Sequence, residues 1–153
     1  TADHPYSSKW YSWPLMIRAI FFWVDGNARI YLMGNPVMWW LSSLAVIMLV
    51  LLLVFENSSV ERVGVILLLG YILNLLPFIG INRVMFLYHY LTALLFAMLI
   101  LVYLIDREPR RAQFLSGLVI LALISFVFFA PLSYGLNLSS TAYQLRTWLP
   151  SWK

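Results

Sequence analysis

No cysteine occurs among the 153 residues, which excludes disulfides, thiolate metal sites and cysteine nucleophiles. Charge is also scarce. Only 10% of residues are Asp, Glu, Lys or Arg, against roughly 25% in a soluble domain. No apolar stretch contains a pair of carboxylates, and nucleophilic triads, phosphate-binding glycine loops and HExxH metal motifs are missing as well. The formal charge of +4 is small and scattered, so nucleic acid is not an expected partner, and loop asymmetry and contact with anionic lipid account for it more simply. Thr1-Ala2-Asp3-His4-Pro5 has neither the basic nor the apolar region of a secretion signal, nor an initiator Met. The expectation is a part of a longer polypeptide.

What the chain does have is apolar surface. Hydrophobic residues make up 63% and aromatics 17%, including seven Trp and nine Tyr, and mean hydropathy is +0.86. Four apolar runs stand out: Val37 to Phe55, Val63 to Ile81 (interrupted by Asn74 and Pro77), Val84 to Ile105, and Phe114 to Leu132. Each is long enough to cross about 30 Å of hydrocarbon as a helix. Helices are required because no water is there to satisfy open backbone, and little period-2 alternation argues against barrel strands. The predicted fold is an all-α integral membrane protein of four transmembrane helices at 37–132. It is flanked by an aromatic-rich interfacial segment at 1–36 and an interfacial tail at 133–153. Within the first segment a short amphipathic piece is expected near Leu15 to Trp23, with a turn at Asp25-Gly26-Asn27. In the tail, Trp148 and Trp152 are expected membrane anchors.

Four spans put both termini on one face and the loops at 56–62 and 106–112 on the other. Arg107, Arg110 and Arg111 cluster in the second loop, so the positive-inside rule makes that side cytoplasmic and the termini external. Against this, Lys9, Arg18, Arg29, Arg83, Arg146 and Lys153 all fall on the terminus side.

The stretch Arg83-Val84-Met85-Phe86-Leu87-Tyr88-His89-Tyr90-Leu91 sets a guanidinium, an imidazole and two phenols at the mouth of the third run. Ionisable groups near hydrocarbon usually face a cavity, partner or substrate. Arg83, Tyr88, His89 and Tyr90 could line an entrance for a lipid-borne phosphate, for which the planar Arg fork is suited. Equally, Arg83 could reach up to headgroups and His89 be satisfied within the bundle. His4, Tyr6, Trp10 and Trp13 alternate aromatic with polar groups and form a candidate surface for a sugar or peptide, or one that rests on the membrane. Gly34-Asn35-Pro36 sets a tight start to the first span, with Trp39 and Trp40 as interface anchors, and Pro131 and Gly135 mark the exit of the last. A haem or pigment held by His4 and His89 is a further reading. No metal site or resident cofactor is predicted.

Taken together, four segments in order resemble the C-terminal four-span region of protein O-mannosyltransferases of the bacterial type. His4-Pro5-Tyr6 through Trp13-Pro14 resembles the family's HPYxSxWxxWP, followed by Arg18 and Phe21-Phe22-Trp23. Gly34-Asn35-Pro36 with Trp39-Trp40 resembles GNPxxWW; Arg83 to Ala93 resembles RxxFLYHYLPA; Phe129 to Leu138 resembles FxPLxYGxPL. Thr92 and Asn137 depart from it where the family has proline, and the first departure removes a helix kink. The resemblance implies a glycosyltransferase of the GT-C type, in a bacterial plasma membrane, that moves mannose from a polyprenyl-phosphate carrier to Ser or Thr of exported proteins. It also implies that the catalytic Asp-Glu pair sits in an N-terminal half outside this chain. The expected role here is the lipid-phosphate entrance, with membrane lipids, polyprenyl-phosphate mannose and the catalytic half or other membrane subunits as partners. The alternative is a non-catalytic subunit derived from such an enzyme.

Overall fold

The computed structural model describes residues 4–55 and 62–153; the predicted loop at Glu56-Asn57-Ser58-Ser59 lies outside them. Four helices are long and apolar enough to cross a membrane. The first, α1, covers Pro36–Phe55. Its start is built as the sequence suggests: Asn35 caps it, its side-chain oxygen accepting from the Met38 amide at 3.3 Å, and Pro36 takes the first helical position, where no amide is needed. The Asn35 amide nitrogen donates to the Ala122 carbonyl at 2.8 Å, so one side chain caps α1 and ties it to the last span.

The second span is α2, Arg62–Leu75, prolonged by a 3-10 turn at Leu76–Gly80. Pro77 has no amide to continue the α-helical ladder, which accounts for the change of winding there. The third run does not begin its helix at Val84. Residues 84–86 are non-helical, a 3-10 turn covers Leu87–Tyr90, and α3 follows at Leu91–Asp106. The last span, α4, runs from Arg111 to Tyr134 and ends on Gly135, whose φ of +66° is the left-handed stop glycine provides.

Helix α3 is central. Its buried residues Ala93, Leu94, Ala97 and Ile100 recur at helical spacing and form one packed stripe. At its N-terminal end Tyr90 is fully buried and its hydroxyl lies 3.2 Å from that of Tyr71 on α2. On α2, Gly70 leaves the space that the Phe96 ring fills.

Outside the spans the structure corrects one expectation. Where a short amphipathic piece is expected near Leu15 to Trp23, the chain makes a turn at 13–16 and then an antiparallel hairpin, β1 Ile20–Asp25 and β2 Ala28–Leu32, whose loop falls at the expected turn Asp25-Gly26-Asn27. Gly26 at φ +54° occupies the turn position that favours glycine in two-residue hairpin loops. The apolar run Phe21-Phe22-Trp23-Val24 conceals the strand alternation because the register shifts between Phe21 and Trp23. The hairpin lies along α4, where a Cβ on Gly135 would come within 2.9 Å of Ile30. The tail adds a short α5, Ser140–Gln144, capped by Ser139.

A Cβ at Gly70 would lie 2.3 Å from the Phe96 ring. Gly70→Ala should therefore cost about 1–3 kcal/mol through overpacking, read as a lower thermal midpoint in detergent. Adding Phe96→Leu should recover part of the loss; a midpoint for Gly70→Ala equal to wild type would refute the close α2–α3 contact.

Candidate functional site

Residues 13–17 belong to no helix or strand of the usual kind, so their carbonyls need partners from elsewhere. Each has one. Trp39 Nε1 donates to the Trp13 carbonyl at 2.8 Å, the Ser43 hydroxyl to Pro14 at 2.5 Å, and Trp40 Nε1 to Leu15 at 2.8 Å. Trp152 Nε1 donates to the Met16 carbonyl at 2.9 Å and the Ser151 hydroxyl to that of Ile17. Met16 is fully buried with φ +50°, a conformation an L side chain holds only when its surroundings impose it. Its sulfur accepts the Gly34 amide at 3.1 Å. Trp39, Trp40 and Trp152 thus staple this loop, and the first and last are buried; Trp148 is half-exposed, packs on Phe129 and donates from Nε1 to the Leu145 carbonyl.

The N-terminal segment packs onto the Arg83–Leu91 stretch, which merges the two candidate sites read from the sequence. The Ser8 amide donates to the Met85 carbonyl at 2.9 Å. Trp13 is fully buried, stacks on the His89 ring at 5.9 Å and 10°, and donates from Nε1 to the Ser8 hydroxyl at 2.9 Å. Tyr88 covers the other face of His89 at 4.5 Å, and Phe86 stacks beyond it. His4 meets the Phe86 ring edge-on at 5.0 Å. His89 Nδ1 lies 3.2 Å from the Phe86 amide and 3.0 Å from its carbonyl, so the imidazole closes onto its own turn whichever tautomer it holds. Each histidine is thus engaged separately by rings and backbone.

Between these two segments opens a cleft of about 810 Å³. Lys9 and Arg18 line it from one side and Asn82 and Arg83 from the other, with Ser7, Ser8, Ser12 and Ser151 as its hydroxyls. No acid lines it, and Lys9, Arg18 and Arg83 have no acidic partner among the described residues; the ion pair Arg111–Asp106 lies at the other end of the bundle. Of the four residues predicted at the entrance, only Arg83 lines the cleft. Tyr88 and His89 stand in the ring stack behind it, and Tyr90 is in the core between α2 and α3. Of the acceptor-side residues, Trp13 is core, Trp10 packs edge-on against Tyr11, and Tyr6 faces a second, smaller cavity.

That cavity, about 170 Å³, is lined by Tyr6, Phe21, Tyr31, Tyr143 and Trp152. The Tyr31 and Tyr143 hydroxyls are 2.7 Å apart, and Arg29 lies 4.2 Å over the Tyr143 ring. Burial, reinforced by the bond to Tyr143, raises the Tyr31 phenol well above the ordinary tyrosine range. Arg146 is likewise occupied, donating to the Phe128 carbonyl at 2.6 Å and lying 4.5 Å over that ring.

Sequence reasoning named Arg83 but missed Lys9, Arg18 and Asn82 as its companions. The signal was present, since Lys9 lies within the HPYxSxWxxWP-like stretch and Arg18 follows it. What no spacing shows is that the loop carrying them folds back over residues 82–85.

Residues 1–152 match the family described as the C-terminal four-transmembrane region of protein O-mannosyltransferase. The chain is 31% identical over 181 residues to dolichyl-phosphate-mannose–protein mannosyltransferase 1 of Candida albicans, covering 99% of this chain and 20% of that protein. It is 29% identical over 178 residues to mannosyltransferase 3 of Saccharomyces cerevisiae, covering 96% of this chain and 23% of that protein. With protein O-mannosyl-transferase 2 of Danio rerio the identity is 28% over 190 residues, 99% of this chain and 25% of the relative. The fold matches a chain of the S. cerevisiae Pmt1–Pmt2 protein O-mannosyltransferase complex bound to the sugar donor, with TM-score 0.85 and 26% identity over 100% of this chain and 24% of that one. The chain thus spans at most about a quarter of these proteins.

Trp152→Phe keeps a ring beside Trp40 and Phe129 but strands the buried Met16 carbonyl. The expected loss is about 1–3 kcal/mol, with faster proteolytic clipping of residues 136–153. An unchanged cleavage rate would show that this bond does not hold the tail.

Proposed function

The chain belongs to the protein O-mannosyltransferase family as its C-terminal four-span region, and from that premise we propose that it receives the phosphate of a polyprenyl-phosphate mannose donor. Whole relatives of this kind carry the mannosyltransferase name, and this chain would contribute binding and orientation to the transfer of mannose onto Ser or Thr hydroxyls of exported proteins. The observation that carries the reading is the cleft: Lys9, Arg18 and Arg83 line one surface, which no acid lines among the described residues. Arg can make paired, charge-assisted bonds to phosphate oxygens, and Lys adds a compact charge. Tyr88 and His89 act one layer back, holding Trp13 and hence the Lys9-bearing segment in place. Tyr90 fixes the start of α3 against α2.

The same cleft bounds the chemistry. Deprotonating an acceptor hydroxyl requires a positioned base, and among the described residues neither a carboxylate nor a histidine lines the cleft. The base would come from the part of the protein beyond this region, such as an N-terminal catalytic half. The cleft lies on the face that carries both termini, which we take as the external face of the plasma membrane, the side on which exported acceptors emerge. The reading of a non-catalytic subunit descended from such an enzyme differs in one outcome only, the loss of any need for the three cations.

In the full-length protein assayed with polyprenyl-phosphate mannose and an acceptor peptide, Arg83→Gln should lower kcat/KM by roughly ten- to a hundredfold, the range of one charge-assisted bond. Lys9→Gln and Arg18→Gln should each have a smaller effect, mainly on KM. Wild-type kinetics in all three variants, with unchanged thermal midpoints, would sink the phosphate reading.

A further inference from the structure

Transfer changes the charge of the phosphate. The donor is a phosphodiester carrying one negative charge. When its anomeric carbon–oxygen bond breaks and that carbon bonds to the acceptor oxygen, the acceptor proton passes to a base outside this chain. The electron pair stays on the carrier phosphate. The product is a phosphomonoester, whose second ionisation near pH 6 leaves it at about −1.5 to −2 at pH 7.

We propose that the cleft favours the phosphomonoester dianion over the phosphodiester monoanion, so that it holds the spent carrier phosphate more tightly than the mannosyl donor. The inference rests on the phosphate reading above. Its basis is charge matching: Lys9, Arg18 and Arg83 bring three positive charges to a surface that no carboxylate lines among the described residues, more than one negative charge can neutralise. The hydroxyl next to them is biased the same way. Ser8 already accepts from Trp13 Nε1 at 2.9 Å, which leaves its own proton to donate to an anion. Arg29 and Arg146, the other arginines of this face, are held over the Tyr143 and Phe128 rings and do not line the cleft.

A pH test separates this from ordinary headgroup attraction. Among the described residues, the only ionisable side chain lining the cleft apart from the three cations is the phenol of Tyr11, and none of a type that ordinarily titrates between pH 5 and 8 lines it. His4 and His89 pack behind it against Phe86, Trp13 and Tyr88, and Asp25 lies at the far turn of the hairpin. The dependence in that window should therefore come from the ligand, with preference gained as pH rises and the monoester loses its second proton.

The experiment uses the full-length protein in zwitterionic nanodiscs and measures calorimetric binding of farnesyl phosphate, its methyl diester, and inorganic phosphate. At pH 8 the monoester should bind roughly tenfold more tightly than the diester, as one extra charge among several partly solvated cations suggests. Inorganic phosphate should compete with it. At pH 5 the two esters should bind within about twofold, and Lys9→Gln or Arg18→Gln should shrink the pH 8 preference. Equal affinities at pH 8, or a preference that persists unchanged at pH 5, would overturn the proposal while leaving the phosphate reading standing. If neither ester bound, the phosphate reading itself would fall.

Discussion

Five consecutive carbonyls, from Trp13 to Ile17, each accept a hydrogen bond from a side chain elsewhere in the chain, and the rest of the structure outside the spans depends on that arrangement. The bonds at the Trp13 and Met16 carbonyls are buried, where an unpaired acceptor would cost about 1–3 kcal/mol, while those at Leu15 and Ile17 are exposed. The donors come from two places only, the start of α1 and the last residues of the tail. The loop is therefore stable only where both ends of the chain meet α1. This also shows how Met16 tolerates a positive φ: its carbonyl, its sulfur and its burial are all fixed by neighbours.

From that loop the cleft follows. Ser8 and Ser12 flank the stapled residues on one side and Arg18 on the other, so pinning 13–17 sets the position of both flanks at once. The ring stack Trp13–His89–Tyr88 then carries the same constraint across to residues 82–85. Trp indoles suit this task because each combines a large apolar face with a single donor that must be satisfied when buried. Here the faces fill the space between spans and loop, and the donors close the backbone.

The spans were legible in the sequence because an apolar run as long as a bilayer is thick suits a transmembrane helix and little else, and the Asn35-Pro36 start and Gly135 stop follow from backbone chemistry alone. The family was legible too, through four motifs in order. Less legible was what the aromatic residues do. Trp39, Trp40 and Trp152 read as interface anchors because composition reports that a tryptophan sits near a membrane surface, not which carbonyl its nitrogen meets. The hairpin was hidden by the register shift in Phe21-Phe22-Trp23-Val24 and by aromatic residues on both faces. Arg83, Tyr88, His89 and Tyr90 read as one cluster since they are neighbours in sequence, yet the turn at Leu87–Tyr90 sends them to the cleft, the ring stack and the core.

Charge shows most clearly how folding changes the meaning of composition. The order of four spans along the chain assigns six cations (Lys9, Arg18, Arg29, Arg83, Arg146 and Lys153) and two acids (Asp3 and Asp25) to the terminus side. It assigns four of each to the opposite side: Arg62, Arg107, Arg110 and Arg111 against Glu56, Glu61, Asp106 and Glu108. The whole net charge of +4 therefore belongs to one side, 6 − 2 against 4 − 4. On that side Arg29 and Arg146 are taken up by aromatic rings and Lys153 borders the small tyrosine-lined cavity. The remaining three cations meet in one cleft. An excess that looks dispersed along the sequence is thus partly sequestered and partly focused. A focused site of this kind, with no acid lining it among the described residues, attracts anionic groups more strongly than uncharged or zwitterionic ones.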